Sequence, residues 1–208
     1  MNILSYNIRG LGRGIKWASI RNLVGKHKVN LLCLQETKRD SLDKAAVQAL
    51  WGDPDFAWEW FPAVNTAGGM LCIWNNNNFK VDYRFSEKGL ILLEGVWLAE
   101  LTRVVVVNIY VPCDLEGKRQ LWQTLSTRKL QSQVEYWCLV GDFNCIRHPS
   151  ERMGSNHSNS DSNLITEFND WIHDMEVDDI PCVGKHFTWF RPNGTCRSKL
   201  DRVLISDA

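Results

Sequence analysis

The stretch "WCLVGDFNCI" (residues 137–146) decides the fold class. Trp137 to Val140 is an apolar run without polar alternation, as in a strand buried on both faces. It ends at Gly141, and Asp142 and Asn144 follow with Phe143 between them. If strand geometry persists, the two polar side chains share one face and Phe143 turns to the other. A core strand that finishes on a carboxylate and a carboxamide predicts an α/β domain with its chemistry at the strand ends, where ligands of such folds collect.

The rest of the chain repeats that pattern. Strands are predicted at Asn2–Tyr6, Val29–Gln35, Met70–Trp74, Leu90–Leu98, Val104–Val111, Phe187–Phe190 and Lys199–Ile205, and helices at Lys16–His27, Leu115–Leu130 and Ser162–Met175. Gly68-Gly69, "WNNNN" (74–78) and "RPNG" (191–194) mark turns, and the polar tract "GSNHSNSDSN" (154–163) reads as a surface loop. With 208 residues, 44% hydrophobic, the chain suits one α/β domain over residues 1–208, able to bury ~70% of its unfolded surface.

Lys plus Arg equals Asp plus Glu at 24 each, so a nucleic-acid partner would need a local basic patch. Ten Trp against four Tyr argue for a deep core or an aromatic-lined groove. The seven cysteines form no CxxC pair, and several sit in apolar runs such as "LLCLQ" and "MLCIW", which predicts buried free thiols in a reducing compartment. The start "MNILSYN" reads as a strand and not as a leader, and no apolar stretch approaches the ~18 residues of a membrane span. The expectation is an intracellular protein without a membrane partner.

The other strand ends carry Asn7, Glu36 and Tyr110, while Thr188 and Trp189 lie in the 187–190 segment and Asp201 inside an otherwise apolar strand. Singly, each has a plain explanation. An Asn can open a turn, a Glu can favour a helix N-terminus, and a buried Asp can pair with Arg202, Lys199 or a backbone N–H. A dinucleotide site is a rival reading of "ILSYNIRGLGRGIKWASI", but Ile15 stands where the third Gly or Ala belongs, and Asp142, Asn144 and Asp201 stay unexplained.

Taken together, "LSYNIRGLG", "LLCLQETK", "VVNIYVP", "LVGDFN" and "SKLDRVLIS" resemble five successive motifs of the endonuclease/exonuclease/phosphatase superfamily, in the family's order from residue 3 to residue 206. The "NIRGLG" start and "FTWFRPNGTCRSKLDRVLIS" look most like the apurinic-type endonuclease domain of LINE-like retrotransposons, especially those of plants. The resemblance implies a four-layer α/β sandwich of two mixed β-sheets flanked by helices. It also implies metal-dependent phosphodiester hydrolysis, here the nicking of one DNA strand to prime a reverse transcriptase domain of an intact element, in the nucleus. By resemblance Glu36 binds Mg²⁺ (Mn²⁺ as the alternative) and Asp142 orients or deprotonates the attacking water. Asn144 and Asn7 donate to phosphate oxygens or hold Asp142 and the metal ligand, and Tyr110 brings a phenolic O–H. Thr188 and Trp189 shape the groove, and Lys38, Arg39 and Arg191 are expected to contact DNA phosphates.

The chain departs from the pattern in two places. Arg9 stands where repair-type members carry an acidic residue, which favours a single metal with fewer acidic ligands. In the family, Asp201 orients the His of a closing Ser-Asp-His motif some way beyond this strand; "SDA" (206–208) only superficially echoes it, being too close to Asp201 and lacking the His, and His27, His148, His157, His173 and His186 match no family position. The expectations are a domain incomplete at its C-terminus, a missing final strand that bares a sheet edge, and weak or absent activity. Inositol phosphate, sphingomyelin or RNA substrates, or a catalytically dead nucleic-acid-binding remnant, are the alternatives.

Overall fold

The computed structural model describes residues 1–12, 14–65, 67–154 and 159–206, so His157, most of the polar tract before residue 159 and the last two residues of "SDA" lie outside it. The first half runs β1 (Ile3–Asn7), α1 (Ile15–Lys26), β2 (Leu31–Gln35), α2 (Lys44–Trp51), β3 (Ala57–Val64), β4 (Ala67–Trp74), β5 (Phe79–Glu87), β6 (Leu90–Trp97) and β7 (Thr102–Tyr110). The second half runs α3 (Leu115–Gln131), β8 (Tyr136–Asp142), a 3₁₀ turn (Pro149–Glu151), β9 (Arg152–Met153), α4 (Asn159–Asp174), β10 (Val177–Asp179), β11 (Trp189–Phe190), β12 (Arg197–Ser198) and β13 (Asp201–Ser206).

Two mixed sheets face each other. One has the order β1-β2-β4-β3 and the other β10-β13-β8-β7-β6-β5, while β11-β12-β9 forms a small third sheet. Strand alternation assigns the layers. Leu32 and Leu34 of β2 pack outward with Ile20, Val24, Val47 and Leu50 of α1 and α2. Val105, Val107 and Ile109 of β7 pack outward with Leu121, Trp122, Phe168 and Trp171 of α3 and α4. Leu31 and Cys33 of the first sheet meet Ile91, Leu93, Val104 and Val106 of the second between them. The four-layer sandwich expected from the motifs is the fold.

Two of the strands that sequence patterning left out have a broken pattern. β3 contains Pro62 and is an edge strand, the position where a strand tolerates proline. β5 is the opposite edge of the second sheet, and a register shift between Val81 and Tyr83 interrupts its alternation. α2 is short, but its signals are ordinary: the Asp43 side chain accepts from the Ala46 N–H at 2.7 Å, and Gly52 ends it at φ 93°. Phe187–Phe190 shrinks to the two residues of β11. β10 pairs antiparallel with β13 at Val177–Asp179 and is the edge of the second sheet on that side.

One polar pair crosses the inter-sheet layer. Gln35 and Asn108 are both fully buried, and Gln35 Nε2 donates to Asn108 Oδ1 at 2.6 Å. Asn108 Nδ2 donates to the Leu34 carbonyl at 3.2 Å. Replacing Asn108 by Leu removes the partner of a buried amide, which costs about 1–3 kcal/mol. A urea melt of Asn108→Leu should show that loss; a midpoint equal to wild type would contradict the pairing.

Candidate active site

Register brings the site residues to one end of the sandwich. Asn7 and Gln35 are partners at the ends of β1 and β2, so Glu36 follows directly. Across the gap, Tyr110 and Asp201 both pair with Asp142 on neighbouring strands. Gly141 allows this approach, since a Cβ there would stand 2.0 Å from the Ile109 carbonyl oxygen. The two sheets therefore present Asn7 and Glu36 opposite Tyr110, Asp142 and Asp201.

One amide joins the two carboxylates. Asn7 Nδ2 donates to Glu36 Oε1 at 3.2 Å and to Asp142 Oδ2 at 2.9 Å. The Tyr110 hydroxyl donates to the same Glu36 oxygen at 2.9 Å, and Lys38 Nζ lies 3.6 Å from Glu36 Oε2. Burial, then Glu36, pushes the Tyr110 phenol well above its ordinary range, so it remains a donor. Burial also raises the Asp142 carboxyl; the Asn144 N–H and the Asn7 amide oppose that rise, the Glu36 charge adds to it, and Lys118 opposes it.

The question posed by Asp142 and Asn144 has a local answer. The strand ends at Asp142, and Asn144 turns back at φ 47°, so strand geometry does not persist. Asp142 Oδ1 accepts the Asn144 N–H at 2.9 Å, while Asn144 Nδ2 is committed to the Val111 carbonyl at 2.7 Å. The two side chains thus do not share one face: Asn144 fixes the turn and Asp142 faces Asn7. Phe143 is buried in the core, as its place between them required.

Asp201 does not pair with Arg202 or Lys199. Arg202 points to the other face of β13, where its guanidinium binds Glu151 and, at 2.6 Å, Asp179 Oδ2; Lys199 Nζ lies 3.3 Å from the same Asp179 oxygen. Asp201 is left with Thr188, whose Oγ1 accepts the Leu200 and Asp201 N–H groups at 3.0 Å each. Burial, then the neighbouring Asp142 charge, pushes the Asp201 carboxyl up to about 6, with Thr188 and Arg9 opposing the shift.

These groups open into a cleft of about 630 Å³ whose lining includes Glu36, Tyr110, Asp142, Arg152, Trp189 and Arg191. The Glu36 and Asp142 carboxylates share this lining with Lys118, Arg152, Arg191 and the Trp189 ring. Arg39 donates to the Gly12 carbonyl at 2.8 Å and is not part of the lining. His148 Nδ1 contacts Ser150 Oγ at 2.8 Å, and His186 packs edge-on to Phe187, so neither lines the cleft. Sequence reasoning did not single out Lys118, which is 3% exposed and donates to the Asn144 carbonyl at 2.8 Å. Among the described residues, no group of three or more His, Cys, Asp or Glu side chains could hold a metal.

The Asp201 shift gives a sign for stability against pH. Its folded value of about 6 lies above the unfolded ~3.9. The protonated form is therefore favoured on folding, and that contribution is present below pH ~3.9 and lost as pH rises through about 6. Asp201→Asn should gain stability over wild type between pH 4 and pH 7.5, read as denaturant midpoints at both. An equal difference at both pH values would contradict a titrating Asp201.

Solved structures share this architecture. An AP endonuclease from Leishmania major superposes with a TM-score of 0.73 at 18% identity, over 99% of this chain and 78% of the other. A 3′ phosphatase from Neisseria, bound to a product DNA hairpin, gives 0.70 at 17% over 99% and 86%. The endonuclease domain of TRAS1, a telomere-specific non-LTR retrotransposon, gives 0.65 at 10% over 99% and 84%. No curated protein sequence matches significantly. The model of the Endonuclease/Exonuclease/phosphatase family matches residues 4–208, and with the carboxylates and amides gathered at the strand ends this chain belongs to that family of phosphoesterases.

Proposed function

We propose that the chain is a metal-dependent DNA-nicking endonuclease domain of a LINE-like retroelement, cutting one strand to leave a 3′-hydroxyl for the element's reverse transcriptase. One observation carries this reading: the Asn7 amide bridges Glu36 and Asp142 at the floor of a cleft that also presents Trp189 and Arg191. Carboxylates serve the phosphate chemistry, and an aromatic ring beside arginines suits a strand of bases and phosphates. The likeness to the TRAS1 endonuclease domain supports the retroelement assignment. Such an enzyme acts on chromosomal DNA, in the nucleus.

The donors fit a hard divalent cation. The Cys113 and Cys196 thiols also line the cleft, but its charged oxygen donors are the Glu36 and Asp142 carboxylates, and Mg²⁺ is commonly held by one or two carboxylates while retaining waters. Glu36 would hold Mg²⁺ or Mn²⁺, which when bound supplies positive charge to the phosphate. The protein does the rest. Asp142 takes the proton of the attacking water, and its burial raises its basicity. Asn7 keeps both carboxylates in register, and the Tyr110 hydroxyl fixes the Glu36 oxygen it touches. Asn144 holds the turn that aims Asp142, and Thr188 holds the start of β13 and thereby Asp201. Lys38, Arg39 and Arg191 meet backbone phosphates, with Trp189 against a base.

With no histidine lining the described cleft to donate to the phosphate, turnover should be slow but metal-dependent. Glu36→Gln or Asp142→Asn should lower Mg²⁺-dependent nicking of supercoiled plasmid by ~10²–10⁴ with the fold retained. Wild-type nicking by either variant, or hydrolysis of inositol phosphates in preference to DNA, would overturn the reading. Separately, Arg191→Ala should reduce the salt slope of DNA binding by about 1 for each phosphate the arginine neutralises; an unchanged slope would remove Arg191 from the interface.

A further inference from the structure

A second cleft, of about 440 Å³, opens between the β3–β4 hairpin and the loops that follow β5 and β7. Phe61, Pro62, Met70 and Pro112 give it apolar walls, and Lys88 stands at its edge. Gly68, at φ +70°, also lines it and has no atom within 4 Å of the place a Cβ would take. Tyr110 and Cys113 line this cleft and the catalytic cleft alike. The Tyr110 hydroxyl is tied to Glu36, so the ring is the partition between the two.

We propose that this cleft is a base-binding subsite, taking one unstacked nucleobase of the strand whose phosphate lies at Glu36 and Asp142; it rests on the nuclease reading above. Continuity argues for that occupant. A strand held with one phosphate beside Tyr110 must pass its neighbouring residue along one side of that ring, and this cleft occupies one side. Lining chemistry argues for it too. An inositol or hexose phosphate would set hydroxyls and anionic oxygens against Phe61, Pro62 and Met70 without partners, which is costly. A base offers a flat apolar face that packs on such walls whatever its identity. Asp114 also lines the cleft, but its carboxylate caps α3 by accepting the Gly117 N–H at 2.7 Å, so it is not poised to read a base edge. Lys88 is placed to meet the phosphate that flanks the base. The subsite therefore accepts any base and selects for nucleic acid over other phosphate esters.

The test is binding without turnover, measured on the 208-residue chain without added divalent metal. Two single-stranded octamers are compared, one carrying bases and one with the same backbone and abasic sites throughout. Wild type should prefer the strand with bases, and Phe61→Ala and the neutral Val64→Asn, at a further lining residue, should each cut that preference by about ten-fold, the scale of stacking one base. Binding of the abasic strand should stay unchanged. Phe61 packs against the inter-sheet core, so thermal melting checks its variant; Val64, 65% exposed, carries the test alone if Phe61→Ala fails to fold. A preference that survives both variants, or equal weakening of both strands, overturns the subsite and leaves the nuclease reading standing. Failure of wild type to bind either strand overturns both.

Discussion

The buried amide pair of Gln35 and Asn108 is the constraint on which the site depends. It bridges the layer where the two sheets meet face to face, among side chains that are otherwise apolar. Gln35 is the residue before Glu36, and Asn108 lies two before Tyr110 on the same strand face. The 2.6 Å hydrogen bond therefore fixes the separation of the two strand ends that carry the Glu36 carboxylate and the Tyr110 hydroxyl. An apolar pair would fill the same space, but it would lack the direction that a hydrogen bond in a low-dielectric layer imposes.

Above that clamp the backbone is held in conformations it would not choose. Arg9, Glu36, Lys38 and Asn144 all have positive φ, between 47° and 54°, and all four flank the strand ends of the site. Such residues persist where surrounding structure over-determines them, and they cluster at working sites. Here the determinants are visible. The Gly10 N–H binds the Glu36 carbonyl, the Lys38 N–H binds the Gly68 carbonyl, and Lys118 holds the Asn144 carbonyl. On the outer face of β13, the buried Arg202 with Glu151 and Asp179 anchors the strand that brings Asp201 beside Asp142.

Much of this was legible in the sequence because it is written in local pattern. Apolar runs ending at Asn7, Gln35, Tyr110 and Asp142 located the strands and the residues that cap them, and motif order supplied the sandwich. What escaped depends on residues distant in sequence. Pro62 and the bulge near Val81 hid two edge strands. The αL turn at Asn144 broke the assumption of continued strand geometry and sent its side chain to Val111. Nothing local in the sequence marks Lys118, which only the fold tucks under the Asn144 turn. Asp201 was recognised as a buried carboxylate, but its expected ion partners lie on the opposite strand face, and Asp179 and Glu151, which engage them, come from 22 and 50 residues earlier in the chain.

The central claim is that the amide-bridged carboxylates form a single cation centre. Electron paramagnetic resonance of Mn²⁺ titrated into the chain tests it most directly. The account predicts one bound Mn²⁺ per chain in wild type and loss of that signal in Glu36→Gln at unchanged thermal stability. Undiminished binding in Glu36→Gln, or no bound Mn²⁺ in wild type, would contradict it.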